Sequence, residues 1–198
     1  MNLFLYTWEW FRRFRNRCGY GIHSPFAFNF VTGVIFEHGA YYAYKTLDDT
    51  YRKGLFWRVS HQRKSWHFLF RFANYVRPEF IINCHSLGIP EKAYLQSGAR
   101  QAVWGDVSVL TSGQPHRVLV CCDADESSLK QMLAAVHTHC LPGSALLVSV
   151  CNSEERARCV ALLQQSSDCA VTFDLYNYLL AFFDFDLYKQ HYRINFLD

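Results

Sequence analysis

Asp123 and Asp125 follow an apolar run at 117–122, where a strand would end and a helix begin. Carboxylates at such a junction either hold a substrate or metal, or cap the helix, and the following Ser127 and Ser128 favour the cap. Asn152, after the next apolar run, is the only further oxygen ligand for a divalent ion, too few for a metal-dependent mechanism. Two patterns invite a zinc reading, Cys121-Cys122 and His137-Thr138-His139-Cys140. Neither has a C-x-x-C partner or standard ligand spacing, and a helix would point His137 and His139 in different directions. They read as buried thiols and as histidines favoured by a helix C-terminus. Cys84-His85 at a strand end resembles a nucleophile–base pair but lacks a third, orienting residue. His23, in the loop His23-Ser24-Pro25, is either a general base near a substrate or a hydrogen-bonded lock that fixes the loop.

The elements that must position these residues change character near Pro78. Before it, apolar residues recur at helical spacing. The pattern predicts helices at 3–14, 26–36, 45–58 and 65–76, with Ser24 as an N-cap and Pro25 in the first turn. Arg12, Arg13, Arg15 and Arg17 close the first of these, and Gly19 and Gly21 break it. That helix packs on its own domain, pairs with a second copy in a homodimer, or lies on an anionic membrane surface; packing is the expected outcome. After Pro78, short apolar strands alternate with helices. Strands are expected at 80–82, 102–104, 117–122, 145–150, 171–175 and 179–183, with another within 188–196, and helices at 91–97, 127–140 and 154–165, the last capped by Ser153. This order predicts an α/β, doubly wound sheet with an antiparallel edge, in an α/β core over 78–198 on which an N-terminal helical segment, 1–77, packs as one globular unit.

Composition excludes several classes. With 198 residues, 51% of them apolar and 17% aromatic, the chain builds one bulky core and is not disordered. A net charge of +3 is too mild for a nucleic-acid binder. Eight cysteines without a secretory leader read as reduced thiols in a cytoplasmic protein, and no apolar run is long enough to span a bilayer.

Three stretches resemble a bacterial group of class I S-adenosylmethionine-dependent methyltransferases close to the small-molecule O-methyltransferases. Gly19-Tyr20-Gly21-Ile22-His23-Ser24-Pro25-Phe26-Ala27-Phe28, followed by Tyr41-Tyr42-Ala43-Tyr44, is similar to the group's N-terminal signature. Ser86-Leu87-Gly88-Ile89 is similar to the end of its glycine-rich turn, and the strands at 171–175 and 179–183 to its last two. The resemblance implies a shortened Rossmann-like sheet of the class I methyltransferase type with an N-terminal helical extension. It also implies S-adenosylmethionine as cofactor, with Ser86, Gly88, Asp106 and Asp123 on the cofactor side and His23 at the substrate or as the loop lock.

The chain departs from that pattern at several points. Ile82 or Asn83 stands where the group has an acid, and Cys84 where it has the first glycine, so that a Cβ there would crowd a bound methionine moiety. Asp106 lies one residue out of register. Only 29 residues separate Gly88 from Val118, so a helix–strand pair is missing. The reading that follows is a methyltransferase-like protein that has lost cofactor binding and acts as an interaction or regulatory module, towards a small molecule or a protein partner. The alternative is an active methyltransferase on a small molecule.

Overall fold

A computed structural model describes residues 11, 13, 14, 16, 19–51, 56–84, 87–111, 114–184 and 186–196, with 56–61, 111 and 137–139 described by their backbone alone. Three helices precede the sheet: α1 (Pro25–Phe30), α2 (Tyr44–Tyr51) and α3 (Phe56–Val76). The sheet then forms through β1 (Phe80–Cys84), α4 (Ile89–Gly98), β2 (Val103–Gly105), β3 (Val118–Asp123), α5 (Glu126–His139), β4 (Ser144–Ser149), α6 (Ser153–Gln165), β5 (Val171–Asp174), β6 (Tyr178–Phe183) and β7 (Gln190–Arg193).

The strands lie in the order β2-β1-β3-β4-β6-β5-β7. β2, β1, β3 and β4 are parallel, and β6 runs antiparallel to both β4 and β5. This reversed strand inserted before β5 gives the α/β, Rossmann-like sheet of the class I methyltransferase type. Between β2 and β3 the described residues hold only a 3₁₀ turn, Val107–Thr111, so β2 is left as a three-residue edge. β7, expected as another strand within 188–196, pairs parallel to β5 and forms the opposite edge.

Residue type explains the central strands. In β3 and β4 five of six positions are buried, as parallel strands covered on both faces require. Their side chains alternate between two cores. One face carries Leu119, Cys121, Leu147, Leu180 and Phe182 against α1, α3 and α4. The other carries Val120, Cys122, Leu146, Val148 and Ala181 against α5 and α6.

The N-terminal helices differ in detail from the spacing-based expectation. Ser24 accepts from Ala27 N (3.4 Å) and Pro25 opens α1, as expected, but the chain passes at Phe30 into a π-helical turn, Val31–Ile35, closed by Phe36 N to Val31 O (2.9 Å). Arg71, buried on α3, donates to Val34 O (2.6 Å) and Ile35 O (3.1 Å) and so satisfies carbonyls this turn leaves open. The helix expected over 45–58 is described over Tyr44–Tyr51, with 52–55 outside the described residues, and the one expected from Ser65 includes residues from Phe56, because no proline or glycine interrupts 56–76. Asn152, not Ser153, caps α6: its side chain accepts from Glu154 N (3.0 Å) and Glu155 N (2.9 Å).

Of the first predicted helix, the described residues include Arg13, which is 1% exposed. Its guanidinium meets Asp174 Oδ2 (2.8 Å) and donates to Asp174 O (3.1 Å) and Ile194 O (3.2 Å), tying the chain start to the ends of β5 and β7. The remaining arginines of that cluster lie outside the described residues.

Candidate functional site

The carboxyl ends of β1, β2 and β3 form the edge at which open α/β sheets bind ligands. Gly88 ends the turn after β1 as the N-cap of α4, with Pro90 in the first helical turn. A Cβ at Gly88 would collide with Glu91 Oε2, since the Glu91 side chain folds back over the glycine. Trp66 of α3 holds it there, donating its indole N–H to Glu91 Oε1 (3.2 Å). The helix N-terminus thus has a carboxylate of its own chain in its first turn, which its dipole favours. Ser86 and His85 lie outside the described residues.

Asn83 and Cys84 leave β1 on opposite faces. Asn83 pairs in register with Cys121, and its Oδ1 is buried without a partner among the described residues. Cys84 turns to the α5 face, where its thiol lies 3.5 Å from Met132 Sδ. Burial, and then the Asp106 charge, push the Cys84 thiol up.

Asp106 follows β2 directly, beyond the last paired residue, Gly105. It is exposed, accepts from Ser108 Oγ and from Ser108 N (2.8 Å), and opens the 3₁₀ turn. These bonds, the hydroxyl first, hold its carboxyl below the usual range.

Asp123 ends β3 opposite Ser149 of β4, on an open cleft of about 510 Å³ shared with Asp125, Glu155 and Arg158. Asp125 caps α5, as its spacing to Ser128 predicts, accepting from Ser127 Oγ (2.6 Å) and Ser128 N (2.9 Å); its pKa falls to about 2 for that reason, the Ser127 bond first. Glu155 accepts from Cys151 N (3.3 Å). Among the described residues no three His, Cys, Asp or Glu side chains converge on a metal position. The side chains of His137 and His139 lie outside the described residues.

In the signature loop, Gly19 and Gly21 take φ of +81° and +75°, which their missing side chains permit. His23 is exposed, and no hydrogen bond ties it to a described residue; the bonds in this loop are the Ser24 cap and Ile22 N to Gly19 O (3.1 Å).

Sequence spacing left one constellation unseen. Asp48 on α2 is 7% exposed and gathers three donors from two other helices. Tyr94 Oη of α4 lies at 2.6 Å and His67 Nε2 of α3 at 2.9 Å, both on Oδ1, while Arg63 Nε of α3 lies 2.8 Å from Oδ2. Tyr44 stacks on His67 at 3.7 Å between ring centres. Burial penalises the Asp48 charge, yet its bonds to Tyr94 and His67 win and hold the carboxyl below its ordinary value. Burial, with Arg63 and Arg71, outweighs the Asp48 attraction at His67 and lowers that pKa too. The signal existed as two i,i+4 pairs, Tyr44–Asp48 and Arg63–His67, each facing a neighbouring helix. Trp66 adjoins His67, and Glu91 precedes Tyr94 by three residues, so the same two helices are joined at both the Asp48 cluster and the glycine turn.

No family model matches the chain, and no curated protein matches it. Among solved structures it is similar to cofactor-bound Rv0187 from MTB, with 12% identity over 71% of this chain and 88% of that one, at a TM-score of 0.42. A likeness so distant carries no functional argument.

Proposed function

We propose that this methyltransferase-like fold has lost S-adenosylmethionine binding and serves as a non-catalytic interaction or regulatory module. The observation that carries the reading is Glu91. Its carboxylate lies over Gly88 at the N-terminus of α4, held by Trp66, in the region where the glycine turn of this fold would receive the cofactor's methionine end. An incoming carboxylate would meet a like charge there. The neighbouring positions support the same reading. Asn83 offers a carboxamide where an acid would hold a cationic group, and Asp106 commits its Oδ1 to Ser108. The short β2 edge leaves the adenine side without the strand and helix that would wall it. Val103 on β2 is 57% exposed and provides apolar surface on that edge for a partner.

The alternative, an active methyltransferase on a small molecule, draws on the placement of Asp106 and Asp123 at the ends of β2 and β3, on either side of β1. Calorimetric titration with S-adenosylmethionine and with its demethylated product separates the two. The proposal expects no saturable heat with about millimolar ligand, whereas a Kd in the micromolar range, about −8 kcal/mol, overturns it.

A further inference from the structure

Lys189, His191 and Arg193 alternate along edge strand β7 and the residue before it, so they leave the chain on one face. The intervening residues define the other face: Tyr192 Oη lies 2.6 Å from Gln190 Oε1, and Tyr192 stacks on Phe173 at 5.5 Å. His191 fixes the orientation of the basic face. It pairs in register with Thr172 of β5, and its Nδ1 lies 2.6 Å from the buried Thr172 hydroxyl, leaving Nε2 for another partner.

Two cavities share His191. One, of about 240 Å³, is lined by Thr172, Lys189 and Gln164 at the end of α6. The other, of about 160 Å³, lies between Arg193 and the Gly19–Tyr20–Gly21 turn of the signature loop. A Cβ at Gly21 would meet nothing within 4 Å, so this turn leaves its backbone open to whatever enters.

The charge balance of the face is positive. Asp174, the acid nearest Arg193 at 3.8 Å, is already bound by buried Arg13 at 2.8 Å. Lys189 Nζ donates to Ser166 O (2.6 Å), an uncharged acceptor. Burial lowers the His191 pKa; Asp174 opposes this, and Arg193 and Arg13 reinforce it.

From the alternation, the two cavities and the excess of cations over the one carboxylate that Arg13 and Arg193 share, we propose that this face binds a small molecule carrying oxyanion groups, phosphate or carboxylate, with His191 between Lys189 and Arg193. The site is independent of the cofactor turn, and its failure would leave that reading untouched.

Inorganic pyrophosphate and succinate serve as probes, titrated into the full chain while the His191 ring and backbone signals are followed by NMR. Saturable shifts centred on His191, Gly21 and Thr172 are expected, from pyrophosphate alone if the site prefers phosphate and from both if it accepts any oxyanion. Lys189→Gln and Arg193→Gln should each weaken binding about tenfold, the loss of one charge-assisted contact, while Lys130→Gln on α5 leaves it unchanged. No saturable shift from either probe at about 10 mM, or equal affinity in all three variants, overturns the proposal.

Discussion

The two faces of the sheet bury comparable strands under different chemistry. The face under α1, α3 and α4 is aromatic and holds ions. Phe30 alone meets Phe72, Phe173 and Phe182 at 4.9–6.0 Å, and Asp48 and Arg71 are buried at its margins. The face under α5 and α6 is aliphatic and sulfur-rich, with Leu129, Met132, Val136, Cys122 and Cys159. Burial drives the Cys122 thiol up to about 12, so this face keeps its sulfurs neutral. The difference teaches how each face is made specific. Aliphatic packing tolerates small rearrangements, whereas a buried carboxylate with three donors is satisfied in one geometry only.

The largest test of this contrast is Asp48→Ala. It leaves Tyr94, His67 and Arg63 without their acceptor and should cost about 3–5 kcal/mol in chemical denaturation. A cost below about 1 kcal/mol, the value of an exposed pair, would remove the distinction between the faces. On the other face, Leu129→Ala should cost about 2–5 kcal/mol through lost transfer energy and an unfilled cavity. It should leave the dependence of stability on pH unchanged.

That dependence is the smallest effect and the sharpest. The folded His67 pKa lies below its ordinary value of 6.5, so the unfolded chain takes up the proton more readily. Its contribution is present above pH 6.5 and is lost as pH falls through that value towards the folded pKa. Asp48, depressed from 3.8, loses its contribution in the same direction at lower pH. Stability should therefore fall on acidification in two stages. His67→Gln should shrink the upper one to the part that His191 contributes, and an unchanged profile in that variant would assign the upper stage to His191.

Much of the fold was legible because the central parallel strands declare themselves as apolar runs, Val118-Leu119-Val120 above all, and the caps Ser24 and Asp125 stand at fixed offsets from the helices they start. The missing helix–strand pair was legible from length alone, since 29 residues cannot hold two of each. β7 was placed in sequence but not in direction, because residue types within a short strand do not encode parallel or antiparallel pairing. The candidate site was less legible. The glycine turn was visible, but not that Glu91 lies across it, since that contact depends on Trp66, 25 residues earlier in the chain. Cys84 could be recognised as a side chain in place of a glycine, while its turn towards Met132 follows from which face of β1 it occupies.

The sequence by itself determined periodicity, caps and composition, which are local or additive properties: an α/β sheet, helices before it, and a bulky aromatic core. Only the tertiary structure decided which polar groups meet. Asp48 finds donors 15, 19 and 46 residues away, and Arg13 finds Asp174 across 161. Such pairings depend on how helices dock, and a buried charge has no local signature until the partners that satisfy it are brought alongside.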